Sequence, residues 1–199
     1  AQFANLTTDQ LTSISTASLM GIATSQIAAL TNDKLATLTT LQIGALSTAQ
    51  AKSLTTTQIS AMTTDQVVAF SNNQIKNLTT AQITALSTDQ LVAIETSDLA
   101  ALTTAHVASI TTAKLTALTT DQVIALTTAQ VKGFTTAQVA ALTSDQVIAI
   151  ENSDLAAMTT AQVAALSTAQ IAALTSAALT ALEAADAVAL TTAQAAVLT

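Results

Sequence analysis

Residues Thr7 to Leu198 divide without a gap into 24 octads of consensus T-T-x-Q-V-x-A-L. A chain whose chemistry resets every eight residues buries a core only by stacking one copy on the next. Residues Ala1 to Leu6 match positions three to eight of a preceding octad, and Thr199 opens a following one. The expectation is one continuous octapeptide-repeat solenoid over residues 1–199, cut from a longer array.

Each position of the octad has its own physical role. Position eight is Leu, Ile, Met or Phe in all 24 octads, and position five is Val, Ile or Leu in 21, the exceptions being Ala51, Ala187 and Ala195. These positions form the expected core, represented by Val123, Leu126, Val139 and Leu142. Position seven is small, as in Gly21, Ala29 and Ser53, which suits close approach between backbones. Position one is Thr or Ser in 20 octads and position four is Gln in 16. A hydroxyl residue followed three later by Gln is a capping box, so Thr119 with Gln122 and Thr135 with Gln138 are read as structural caps.

One continuous helix would rotate equivalent apolar positions by roughly 80° per octad, since eight residues advance about 800°, and no buried stripe would form. The chain is therefore expected to turn at each Thr pair. A β-solenoid is disfavoured, because positions five and eight have opposite strand parity and only three Gly are available for corners. Disorder is disfavoured by the regular aliphatic residues and by a charged fraction of only 9%. The fold class read from the sequence is all-α: a solenoid of very short capped helices, one per octad.

The pitch is encoded in the acids. Asp occupies position three at Asp9, Asp33, Asp65, Asp89, Asp121 and Asp145, so gaps of three and four octads alternate. Their mean predicts about 3.5 octads, or 28 residues, per superhelical turn. Glu95 and Glu151, Asp98 and Asp154, and Lys76 and Lys132 each repeat after 56 residues, which two such turns or a duplicated seven-octad block would both produce.

A net charge of −7 with five Lys leaves no basic stripe for phosphates, so no nucleic-acid partner is expected. Polar residues interrupt every apolar stretch well short of the ~20 needed for a span, so membrane insertion is not expected either. The lack of Cys fits a reducing cytoplasm and disulfide-free exported proteins alike.

Candidate chemistry is sparse. His106, the single histidine, stands where Gln usually does and is read as a solvent-facing capping substitute. Glu95 with Asp98, Glu151 with Asp154 and Glu183 with Asp186 are the octads with Glu at position one, and each has Asp at position four. First-turn capping explains these pairs most simply, against a weak calcium site or paired acid–base catalysis. Lys34, Lys52, Lys76, Lys114 and Lys132 are read as solubilising surface residues, and Phe3, Phe70 and Phe134 as core filling. Ala178 and Ala187 make the final octads atypical, as the edge of a capping region would be. No catalytic residue, cofactor or metal ligand set is assigned.

The segment Leu118 to Leu126, LTTDQVIAL, resembles the first helix of the TAL-effector repeat. The chain lacks that family's second helix and base-reading loop, so DNA recognition does not follow. The Thr/Gln-rich octads as a whole are similar to arrays in very large exported bacterial proteins, often labelled adhesins or haem-utilisation proteins. That resemblance implies a bacterial, extracellular or cell-surface protein; the sole His106 has no companion to serve as a repeated haem ligand.

The function expected from these readings is a structural spacer or filament-forming segment, not an enzyme, self-associating end to end or laterally. The alternative is an adhesive module recognising glycan or another cell-surface partner. Ice binding ranks lower, because the position-one Thr is committed to capping.

Overall fold

The computed structural model describes residues 3–186 and 190–198, with the side chains of 183–186 left aside. Ala187 therefore lies outside the described residues, as do the side chains of Glu183 and Asp186. Among the described residues the chain is helical without strands, and after a three-residue 3-10 turn at Phe3–Asn5 its α-helices are four to six residues long until the last two octads before residue 190. Each α-helix begins at position two of its octad. The helix Thr120–Ile124 follows the N-cap Thr119, at φ −70° and ψ 160°, whose hydroxyl accepts from the Gln122 N–H while Gln122 returns its side chain to the Thr119 backbone. The same reciprocal pair closes between Thr135 and Gln138 ahead of Thr136–Ala141.

The turn falls one residue earlier than the Thr pair. Position eight and position one are both extended, as at Leu142 (φ −52°, ψ 142°) and Thr143 (φ −70°, ψ 159°), and position two is already helical. Two consecutive extended residues reverse the chain inside the broad region open to any side chain. Among the described residues no φ is positive, which is why corners every eight residues do not demand glycine.

Two compact units divide the chain, residues 1–101 and residues 102–199. In the first, each helix packs on the helix three octads away: Thr24–Ala28 on Thr48–Ser53, Thr64–Val68 on Thr88–Ala93, and Asn72–Asn77 on Thr96–Ala101. In the second the same order holds, with Thr120–Ile124 on Ser144–Ala149 and Thr136–Ala141 on Thr160–Ala165. The glutamine side chains hydrogen-bond between coils to residues 28 to 31 back, which lies between three and four octads. Each unit is thus an α-solenoid of about 3.5 octads per turn.

The interior of each coil is built from positions five and eight. Val123, Leu126, Val139 and Leu142 are all buried, as are Phe70 and Phe134. Helices this short do not persist alone in water, so this shared burial holds them in place. Position seven lies where coils meet: a Cβ added to Gly133 would stand 3.1 Å from the Thr104 Cβ, and the Ser53 hydroxyl donates to the Thr24 carbonyl at 3.1 Å.

One helix per octad gives way near the C-terminal end, where Ser176–Asp186 runs 11 residues through an octad boundary. Glu183 replaces the hydroxyl residue that would have capped a new helix, and the run is rich in Ala, with two Leu, all strong helix formers.

Candidate functional site

The side chain that recurs with the most chemistry is the position-four glutamine, and the structure gives it a second task. In the capping box only its Oε1 is engaged, accepting the position-one N–H at distances such as 2.8 Å from Thr135 to Gln138. The other half of the amide points into the preceding coil. Gln138 Nε2 donates to the Val107 and Ile110 carbonyls, both at 2.8 Å, which lie 31 and 28 residues back. In the first unit Gln42 reaches Leu11 and Ile14, and the pattern continues through Gln50, Gln58, Gln66, Gln74, Gln82 and Gln90 at the same two offsets. In the second unit Gln146, Gln162, Gln170 and Gln194 repeat it.

These glutamines are buried, with Gln138 at 2% exposure. A sequence-level reading of position four as a cap is therefore incomplete. Each amide fastens its own helix start and binds the end of a helix one coil earlier, where position-eight carbonyls have no partner within their own helix. A detail of the sequence carries this signal: a capping box accepts Glu as readily as Gln and the helix dipole favours Glu, yet Glu never occupies position four. Unlike a carboxylate, the amide supplies both an acceptor and a donor.

Departures from Gln show how specific the position is. Lys34 occupies it and its Nζ donates to the Ala4 carbonyl, 30 residues back, at 2.5 Å. Lys34 thus corrects the expectation that the lysines serve only as solvated surface charges. His106 is also corrected: it is 4% exposed, not solvent-facing. Its Nδ1 accepts the Thr103 N–H at 3.3 Å and completes the capping box, which places the ring proton on Nε2 when neutral.

The acidic octads differ again. Asp98 and Asp154 are both 5% exposed. Glu151 stands at the N-cap yet makes no side-chain capping bond, which overturns capping as the account of that residue. The Thr128 hydroxyl donates to Asp154 Oδ1 at 2.6 Å. Asp98 has no such donor: its Oδ1 is buried without a hydrogen-bond partner, and burial, with the neighbouring Glu95 charge second, pushes its carboxyl above the ordinary aspartate range.

Other sites are few among the described residues. No group of three or more His, Cys, Asp or Glu side chains converges, and no helix is long and apolar enough to cross a membrane. A depression of about 330 Å³ in the first unit is lined by Phe3, Leu6, Ile14, Ser18, Ile22 and Gln26.

Five consecutive matches to the ALTTAQ repeat, at residues 40–72, 67–93, 91–128, 124–149 and 147–184, cover well over half of the chain. The chain belongs to the ALTTAQ repeat family. The six residues of that name stand together at Ala125 to Gln130, and they comprise the turn, the cap and the ladder glutamine of one octad. No curated protein matches the ALTTAQ array across its sequence.

Proposed function

We propose that this ALTTAQ array is a structural spacer, lengthened by adding octads, in a bacterial protein displayed outside the cell. The observation that carries the reading is the constancy of the glutamine register. Because the ladder glutamines from Gln42 to Gln90, and Gln138, Gln146, Gln162, Gln170 and Gln194, find their carbonyls at 28 and 31 residues, a new coil inserted among them presents the donors and acceptors its neighbours already use. The extracellular setting rests on the similarity to Thr/Gln-rich arrays of large exported proteins. Catalysis is no part of the proposal, since its one histidine is committed to a cap and its glutamines to the ladder.

The same chemistry supports end-to-end joining. The depression lined by Leu6, Ile14 and Ile22 has the composition of a face that receives another coil, from this chain or from a second copy. An adhesive role is the second reading, favoured by the exposed positions two and three, which offer a repeated row of small polar groups such as Thr80, Thr96 and Thr136. Ice binding is less favoured, because position-one hydroxyls already accept capping bonds.

Insertion of one and then two additional seven-octad blocks tests the spacer. Small-angle scattering should show an equal increase in maximum dimension for each block, and surface biotinylation of intact source cells should label the parent protein. Compaction or aggregation on insertion would end the spacer reading, and labelling only after lysis would end the extracellular one. Glycan binding that disappears when the exposed position-two and position-three side chains are replaced would favour the adhesive module.

A further inference from the structure

The Glu95 octad lacks what the ladder elsewhere supplies. At position four, Asp98 is one methylene shorter than Gln and brings a carboxylate in place of an amide donor. The ladder register assigns it the Val67 and Phe70 carbonyls, 31 and 28 residues back, by the rule that Gln90 follows with Ile59 and Met62. Helix packing agrees, since the Asn72 amide donates to the Ser97 carbonyl at 3.3 Å and so places the start of this octad against the coil before it. Among the described residues no donor meets the Phe70 carbonyl, although Phe70 is 2% exposed, and none meets Asp98 Oδ1. Two buried oxygens on facing coils therefore share the same lack.

The second such octad shows that this is a choice at this position. At Asp154 the residue 26 earlier is Thr128, whose hydroxyl donates to the carboxylate; at Asp98 the residue 26 earlier is Asn72, whose amide donates to the Ser97 carbonyl and not to Asp98 Oδ1. A neutral, protonated Asp98 would gain nothing from a second acid beside it. Yet Glu accompanies Asp in every octad of this type, in place of a Thr or Ser that would have capped the helix. Two carboxylates with main-chain carbonyls and no compensating base are hard oxygen donors whose charge a divalent cation balances.

We infer that the Glu95–Asp98 octad binds a divalent cation of the calcium class, held between the carboxylates of Asp98 and Glu95 and the carbonyls of Phe70 and Val67. The ion takes the place of the ladder amide and ties one coil to the next.

Isothermal titration of the chelator-treated full chain with calcium chloride at neutral pH tests this. Asp98→Gln restores the amide donor, so it should fold at least as well in chelator, judged by circular dichroism and thermal unfolding, and should bind one calcium fewer per chain. Glu95→Thr should keep the fold and weaken that site. The inference fails if the native chain binds no calcium at millimolar concentration, which would leave the gap to water or a proton. It fails equally if Asp98→Gln binds as many ions as the native chain.

Discussion

The carboxamide at position four works because its two ends have opposite polarity. In Gln138→Glu the acceptor that receives the Thr135 N–H survives, while the donor to Val107 and Ile110 becomes a buried carboxylate facing carbonyls. Loss of a buried partner costs about 1–3 kcal/mol, so urea unfolding at neutral pH should show a destabilisation of that size, relieved on acidification as the carboxyl regains a donor proton. Thr135→Ala removes the hydroxyl that accepts the Gln138 N–H at 3.1 Å, and a cap of this kind is worth roughly 0.5–2 kcal/mol, whereas Thr135→Ser should stay near the native value in the same assay. Asp98 supplies the pH dependence. Its carboxyl is raised in the folded chain, by burial first and Glu95 second, so the native state holds the proton more tightly than the unfolded state. Without divalent cations, that contribution is complete below the ordinary aspartate range and is lost as pH rises through the raised value. Urea midpoints measured in chelator should therefore show the advantage of Asp98→Gln over the native chain growing from about pH 4 towards neutrality; parallel profiles would contradict it.

At the level of the helix, four to six residues suffice because a typical element is fastened at its start by the cap, at its end by the following coil's amide, and on its inner face by positions five and eight. The two four-residue helices, Thr112–Leu115 and Asn152–Leu155, have an N-cap side chain that makes no bond, as does Thr24–Ala28. The small residue at position seven lets the coils close to that distance. Gly133, with Thr104 across the contact and the Gln130 and Ala129 carbonyls beside it, tests the tolerance. Gly133→Ala asks its neighbours to move by a few tenths of an ångström and should change the thermal midpoint little. Gly133→Leu overfills the contact and should cost about 1–3 kcal/mol, visible as a lower midpoint with early loss of amide protection in Thr128–Lys132. The 11-residue helix Ser176–Asp186 shows the converse: Ala23 and Glu151 precede separate helices without a side-chain cap, but where the cap is missing within a run of Ala and Leu, local helix propensity carries the chain through the boundary.

Across the whole array, stability is a sum over coils and the contacts between neighbours, so additional octad blocks should raise the denaturation midpoint by diminishing steps towards a plateau, measurable in guanidinium. The sequence by itself determined the octad, the helix start in all but the Glu183 octad, the apolar positions and a turn of 3.5 octads, because periodicity and capping are local properties that adjacent residues set between them. Position four read as a cap for the same reason: its Oε1 partner is three residues away. What tertiary structure alone decided is where the other half of that amide goes, why Lys34 and His106 stand in its place, and why Asp98 is left without a donor. Those partners lie in the preceding coil or are hidden by burial, and a chain's own neighbours along the sequence carry no record of which carbonyl folding will bring within reach.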